Sequence, residues 1–110
     1  MSNRLKFRLL LKTATDIPNL YFQPPESVKI KYPCCIYSLL DVDNRSANNR
    51  PYSISPMYEV ILIDPNPDSE YVYKLHEMPQ GRFIRFYTSN NLNHWVYRFY
   101  LNGTFPKTIS

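Results

Sequence analysis

The sequence predicts an α+β fold, a small antiparallel or mixed β-sheet of four to five strands with two helices packed on it. Three observations carry that prediction. Val60, Ile61, Leu62 and Ile63 form an apolar, mostly β-branched run that suits a strand covered on both faces. Arg82–Thr88 and Trp95–Leu101 each alternate in character with a period of two. Phe7, Leu10, Leu11 and Ala14, and again Tyr71, Val72, Leu75 and Met78, recur at helical spacing. The expected order is helix, short strand, strand, long loop, strand, helix, strand, strand, whose regular part is α-β-β-α-β-β. Two hairpins are then joined through the second helix.

The first helix is expected over Ser2–Thr15, because Leu, Lys and Arg are good helix formers and no β-branched residue occurs before Thr13. Asp16-Ile17-Pro18-Asn19 ends it. At about 100° per residue, Leu5 and Leu9 fall opposite the Phe7–Ala14 stripe, giving a short helix two apolar stripes. One can meet the sheet; the other meets a neighbouring subunit or is covered within the chain. Leu20-Tyr21-Phe22 is a short strand cut off by Gln23-Pro24-Pro25. Val28–Ile36 resumes with partial alternation, but Pro33 makes this half an edge or a bulge, so regular pairing should begin near Cys34 and run to Leu40.

Asp41–Pro56 is polar, Asn-rich and without periodicity, which predicts a long binding loop. Met57–Met78 is the organising stretch: a central strand, a stop at Asp64-Pro65-Asn66-Pro67-Asp68, and a helix with Asn66 as N-cap and Pro67 at its first position. Pro79-Gln80-Gly81 ends that helix. Ser89–His94 is a turn rich in residues that tolerate left-handed backbone, expected as the long tip of a hairpin. Residues 1–101 form one domain, and 102–110 a tail that is ordered only where something holds it.

Ten Tyr, six Phe and one Trp among 110 residues exceed what a small core needs. The surplus fits either a subunit that packs against partners or an aromatic-rich sheet. Net charge is +4, a mild basic excess that favours contact with polyanions without identifying one. No apolar run approaches the roughly 18 residues of a membrane helix. Cys34 and Cys35 are sequence neighbours that an extended chain points to opposite faces, so two reduced thiols are expected rather than a bridge. With only Gly81 and Gly103 there is no glycine-rich phosphate loop. No nucleophile and base pair or metal-ligand spacing stands out, and Asp41 with Asp43 or Asp64 with Asp68 are explained by loop solvation and helix capping. His76 and His94 lie in unrelated contexts and need no catalytic role. The chain is therefore expected to be no enzyme and to take no cofactor or metal. Arg82, Arg85 and Arg98 interleave with Phe83, Tyr87, Tyr97 and Tyr100, the chemistry of a charged stacking platform as well as of any solvated strand.

An ordered set of residues resembles a known family. It comprises Tyr21-Phe22-Gln23-Pro24-Pro25, Lys29-Ile30-Lys31-Tyr32-Pro33-Cys34 and Ile36-Tyr37. Tyr58, Val60, Leu62-Ile63-Asp64 and Asn66-Pro67-Asp68-Ser69 follow. Last come Phe83, Arg85, Tyr87, Asn90-Asn91-Leu92-Asn93-His94, Tyr97 and Phe99. Over Tyr21–Leu101 this set is similar to small bacteriophage proteins of the tail terminator or tail completion type. Where that family's pattern has Ala-Asp-Asn before a tyrosine, this chain has Ala47-Asn48-Asn49 and then Tyr52, so a charged contact there is not carried over.

The resemblance implies a non-catalytic virion protein of the tail or neck, assembled in the host cytoplasm. It implies a ring, typically hexameric, that caps the tail tube, stops its growth and faces the head–tail connector. The implied partners are copies of itself, the tail tube protein, the connector and, transiently and without specificity, DNA in the lumen; no membrane is involved. A different neck role, as head–tail connector or head completion protein, and a small basic nucleic-acid-binding module are the alternatives. The residues expected at interfaces are Leu5, Leu9, Asn48, Asn49, Tyr52, Asn90, Asn91, Leu92, Asn93 and His94. Arg85, Tyr97 and Arg98 are expected to face or stack on DNA.

Overall fold

The computed structural model describes residues 3–44 and 54–100. Its elements are α1 (Asn3–Thr15), β1 (Asn19–Phe22), β2 (Cys34–Asn44), β3 (Ile54–Asp64), α2 (Glu70–His76), β4 (Gly81–Ser89) and β5 (Leu92–Tyr100). The five strands make one mixed sheet in the order β1-β2-β3-β5-β4. β2–β3 and β4–β5 are antiparallel hairpins, β3 pairs antiparallel with β5, and the short β1 runs parallel to β2. The expected α+β class, both hairpins and the central place of the Val60–Ile63 strand are as the sequence predicts.

Both helices lie on the same side of the sheet. Phe7 and Leu11 of α1, and Leu75 of α2 with Met78 just after it, pack on Cys35, Tyr37, Tyr58, Val60, Leu62, Trp95, Tyr97 and Phe99. Phe7 is fully buried at the centre. Its ring stacks on Tyr58 with centroids 4.5 Å apart and meets Tyr37 and Phe99 at 5.7 Å each. One helical side chain thus touches the three inner strands β2, β3 and β5 through aromatic contacts, each contributing beyond simple area burial.

Helix α1 ends through its own side chains. Thr15 Oγ1 donates to Leu11 O at 2.8 Å and accepts from Ile17 N–H at 3.3 Å, and Asp16 turns left-handed at φ 56°. Lys12 Nζ then donates to Ile17 O at 2.9 Å, placing a cation at the negative helix end. The chain returns from β1 to β2 through residues 23–33, which contain no strand, so the half-strand expected over 28–33 is absent. Lys31 N–H donates to the Tyr21 hydroxyl at 3.1 Å. Tyr21 is in register with Ile36, on the face away from the helices, so this connection passes on the helix-free side.

Three further expectations are corrected. The loop expected over Asp41–Pro56 is shorter, because β2 continues to Asn44 and β3 begins at Ile54. Residues 45–53, with Asn48, Asn49 and Tyr52, lie outside the described residues, as does the tail over 102–110.

Helix α2 starts at Glu70 and not at Pro67, with Ser69 as N-cap accepting from Tyr71 N–H at 3.3 Å. Asp64 Oδ1 instead accepts from Asn66 N–H and Asn66 Oδ1 from Asp68 N–H, both at 2.9 Å. These local side-chain bonds hold successive turns and delay the helix. The hairpin tip is tight: β4 runs to Ser89 and β5 starts at Leu92, leaving Asn90 and Asn91 as a two-residue turn with φ 55° and 63°. Positive φ at both central positions suits asparagine and matches the twist of the strands.

Phe7→Ala is expected to lower unfolding free energy by roughly 3–5 kcal/mol, as for a large core residue whose cavity cannot collapse. Equilibrium urea denaturation measures it. A loss below about 1 kcal/mol would remove Phe7 from the centre of the core.

Candidate interaction surfaces

Covering one face of the sheet with helices leaves the other as a second surface. The register assigns its rows: Cys34, Ile63, His94 and Tyr87; then Ile36, Ile61, Val96 and Arg85; then Ser38, Glu59, Arg98 and Arg82. The centre is closed to water, with Cys34 and Val96 fully buried. At the β4–β5 end the face is basic and aromatic. Arg85 lies over the Tyr87 ring at 5.6 Å, and Tyr87 stacks on His94 at 4.6 Å and 11°. Arg98 is half-buried, and its Nε is buried without a hydrogen-bond partner.

This grouping depends on a β-bulge between Phe83 and Arg85, where the pairing of β4 with β5 slips by one residue. Strict alternation would put Arg82 and Arg85 on opposite faces; the bulge puts both on the helix-free side with Arg98. It also sends Phe83 and Phe86 to the helix side, against Tyr97 at 5.4 Å and Trp95 at 5.3 Å. Phe83 also stacks on His76 at the end of α2, with centroids 5.5 Å apart, yet both phenylalanines remain partly uncovered, 41% and 47% exposed. β4 is thus a nine-residue edge strand with phenylalanine on one face and arginine on the other, and among the described residues no strand pairs with its outer side. Sequence periodicity missed this strip because the bulge changes phase within the strand.

The structure separates the residues expected to meet DNA. Arg85 and Arg98 share the helix-free face. Tyr97 does not: it is 1% exposed on the helix side, and its hydroxyl lies 2.9 Å from His76 Nδ1 and 3.5 Å from Val72 O. Its place one residue from Arg98 on a strand puts it on the opposite face, so it cannot stack on a ligand. Among the tip residues, Asn90 and Asn91 are exposed, while Leu92, Asn93 and His94 belong to β5. Asn93 Nδ2 donates to Asp64 O at 3.0 Å and Pro65 O at 3.2 Å, tying the hairpin to the turn before α2. Leu5 and Leu9 are 44% and 54% exposed on the outer side of α1, as the second stripe requires.

A cleft of about 300 Å³ between α1 and the end of α2 is lined by Leu10, Ala14, Lys74, Met78 and Gln80. Among the described residues no group of three or more His, Cys, Asp or Glu side chains could hold a metal ion. Nor, among them, is any helix long and apolar enough to cross a membrane. Comparison with family models, curated proteins and solved structures finds no match.

Both cysteines are free and buried. Burial, and secondarily the Asp64 carboxylate, pushes the Cys34 thiol up to about 12 from an ordinary 9.0. Burial and the neighbouring Cys34 raise Cys35 as well. A thiol raised in the folded state keeps its proton while the unfolded chain loses its own, so this stability is present below about pH 9 and declines above it. The urea midpoint is expected to hold steady from about pH 7 to 8.5 and fall from pH 9 upward. A thiol reagent should label neither cysteine in the native protein near neutral pH, since the thiolate is the nucleophile. Rapid native labelling would contradict this burial.

Proposed function

We propose that this chain is a structural virion protein of the tail terminator type. It forms a ring that caps the tail tube and joins the tail to the head connector. The observation that carries the reading is that, among the described residues, helices cover one face of the sheet, β4 is an edge strand with no partner on its outer side, and arginines lie on the other face. The ordered resemblance from Tyr21 to Leu101 supports it.

In this reading, β4 and its Phe83–Phe86 strip meet a different surface of the next copy. Head-to-tail contacts of this kind close into a ring when the rotation allows, which removes every unpaired edge. The helix-free face with Arg85 and Arg98 turns to the lumen. Contact with passing DNA there is weak, independent of sequence and screened by salt, as transit demands. The exposed Asn90-Asn91 turn reaches axially towards the tube or connector.

A nucleic-acid-binding module is favoured by one observation, the gathering of Arg82, Arg85 and Arg98 by the bulge. The burial of Tyr97 removes one stacking ring from that platform.

Light scattering on the purified protein over a range of concentrations, with and without tail tube protein, tests the ring. Assembly into a discrete species that binds the tube end is expected. A monomer that neither assembles nor binds tube under any condition overturns it. The same preparations distinguish the nucleic-acid reading. The ring predicts only weak single-strand binding near physiological salt, whereas a module predicts tight, salt-sensitive binding lost in Arg85→Ala.

A further inference from the structure

The cleft between α1 and the end of α2 is an apolar groove with a polar rim. Leu10 and Ala14 of α1 face Met78 and Pro79 across a volume of about 300 Å³, and Lys74, Glu77 and Gln80 complete the lining. The cation of that rim is engaged: Lys74 Nζ donates to Thr15 O at 3.4 Å and lies 5.5 Å from the centroid of the Tyr71 ring. Glu77 is exposed, and among the described residues it forms no salt bridge. Gln80 Oε1 is buried and, among the described residues, has no hydrogen-bond partner. A carbonyl in that state costs free energy until a donor reaches it, and the soft last torsion of glutamine lets it turn to one. Strand β5 delivers the chain to this place. Tyr100 N–H donates to Gln80 O at 3.1 Å, so the backbone leaves the sheet beside a residue that lines the cleft.

We infer that the segment over 101–110 of the same chain docks in this cleft. Tyr97 and Phe99 lie on the helix side of β5, and alternation carried one residue further puts Leu101 on that side as well. Asn102-Gly103 is a pair that favours a reversal, which turns the exit of the strand back towards α2. Leu101 and Phe105 then supply apolar side chains to the groove, and a backbone N–H of the segment supplies the donor that Gln80 Oε1 lacks. Lys107 is the one charged residue of the segment, and it is complementary to Glu77. Reach is sufficient. An α2 rise of about 1.5 Å per residue puts Lys74 on the order of 10 Å from Gln80, and an extended chain covers roughly 3.3 Å per residue. Attachment at the mouth gives the segment an effective concentration on the order of millimolar, an advantage that a separate partner does not have. The docked segment ties α1 to α2 and to the start of β4. It leaves the outer side of β4 free and stands independently of the ring.

Cysteine pairs in the full chain test it, because Cys34 and Cys35 are both buried and stay out of the reaction. Ala14→Cys with Thr104→Cys joins the α1 wall of the cleft to the segment, and oxidised glutathione supplies the oxidant. The control pair is Ser89→Cys with Thr104→Cys, since Ser89 is exposed at the far end of the nine-residue β4. A disulfide within one chain is expected, forming at least about tenfold faster than in the control. Adding Phe105→Asp to the first pair should bring its rate down to that of the control. Leu10→Cys with Thr104→Cys should behave as the first pair does, so the result does not hang on one variant folding. Crosslinking no faster than the control overturns the inference, and so does fast crosslinking that ignores Phe105→Asp. A disulfide found only between two chains also overturns it, because the cleft then takes the segment of a neighbouring copy.

Discussion

The structure depends on the contact between Phe7 and the aromatic floor of the sheet. Its ring stacks on Tyr58 at 4.5 Å and meets Tyr37 and Phe99 from the two flanking strands, so the position of α1 is set by β2, β3 and β5 together. Helix α2 is fixed from the same floor, through Leu75 and Met78 in the core cluster and through His76 against Tyr97. Much of the aromatic surplus in the sequence is therefore core. Phe7, Tyr37, Tyr58, Trp95, Tyr97 and Phe99 are all buried together. Tyr32, Tyr73, Phe83 and Phe86 are exposed.

Placing both helices on one face decides what the remainder of the chain can do. The helix-free face must shield its own centre. It does so where flat apolar residues such as Val96 sit among longer polar and aromatic side chains, a pattern typical of antiparallel sheets with one solvated side. Arginine suits that setting because its stem covers apolar surface while its head stays in water. The edge strand β4 carries the consequences on both sides. A bulge twists it, arginines discourage indiscriminate pairing, and two phenylalanines stay partly exposed, Phe83 beside His76 of α2.

Much of this architecture is legible from periodicity. The apolar run at Val60–Ile63 marks the central strand, and the Tyr71–Met78 spacing marks the second helix, because burial imposes those periods directly. Alternation in Trp95–Leu101 correctly separates Tyr97 from Arg98. Grouping the two as one platform fails for the same reason: neighbours on a strand face opposite ways. The bulge in β4 escapes sequence reading because its one-residue slip has no marker such as glycine or proline at Ile84. The late start of α2 comes from Asp64 and Asn66 taking backbone donors in turns, a competition that composition alone does not rank. The two-residue tip follows from strands that pair to their limit once Asn90 and Asn91 accept positive φ.

Hydrogen exchange along β4, in free protein and in assemblies formed with tail tube protein, tests the central claim most directly. That claim is that the helix-covered core is a fixed scaffold and that the open edge makes the assembly. Amides in β4 that face away from β5 should exchange quickly in the free chain and become strongly protected on assembly, while those of β3 are already protected in both. Assembly that leaves the β4 edge as exchangeable as in the free chain would contradict it.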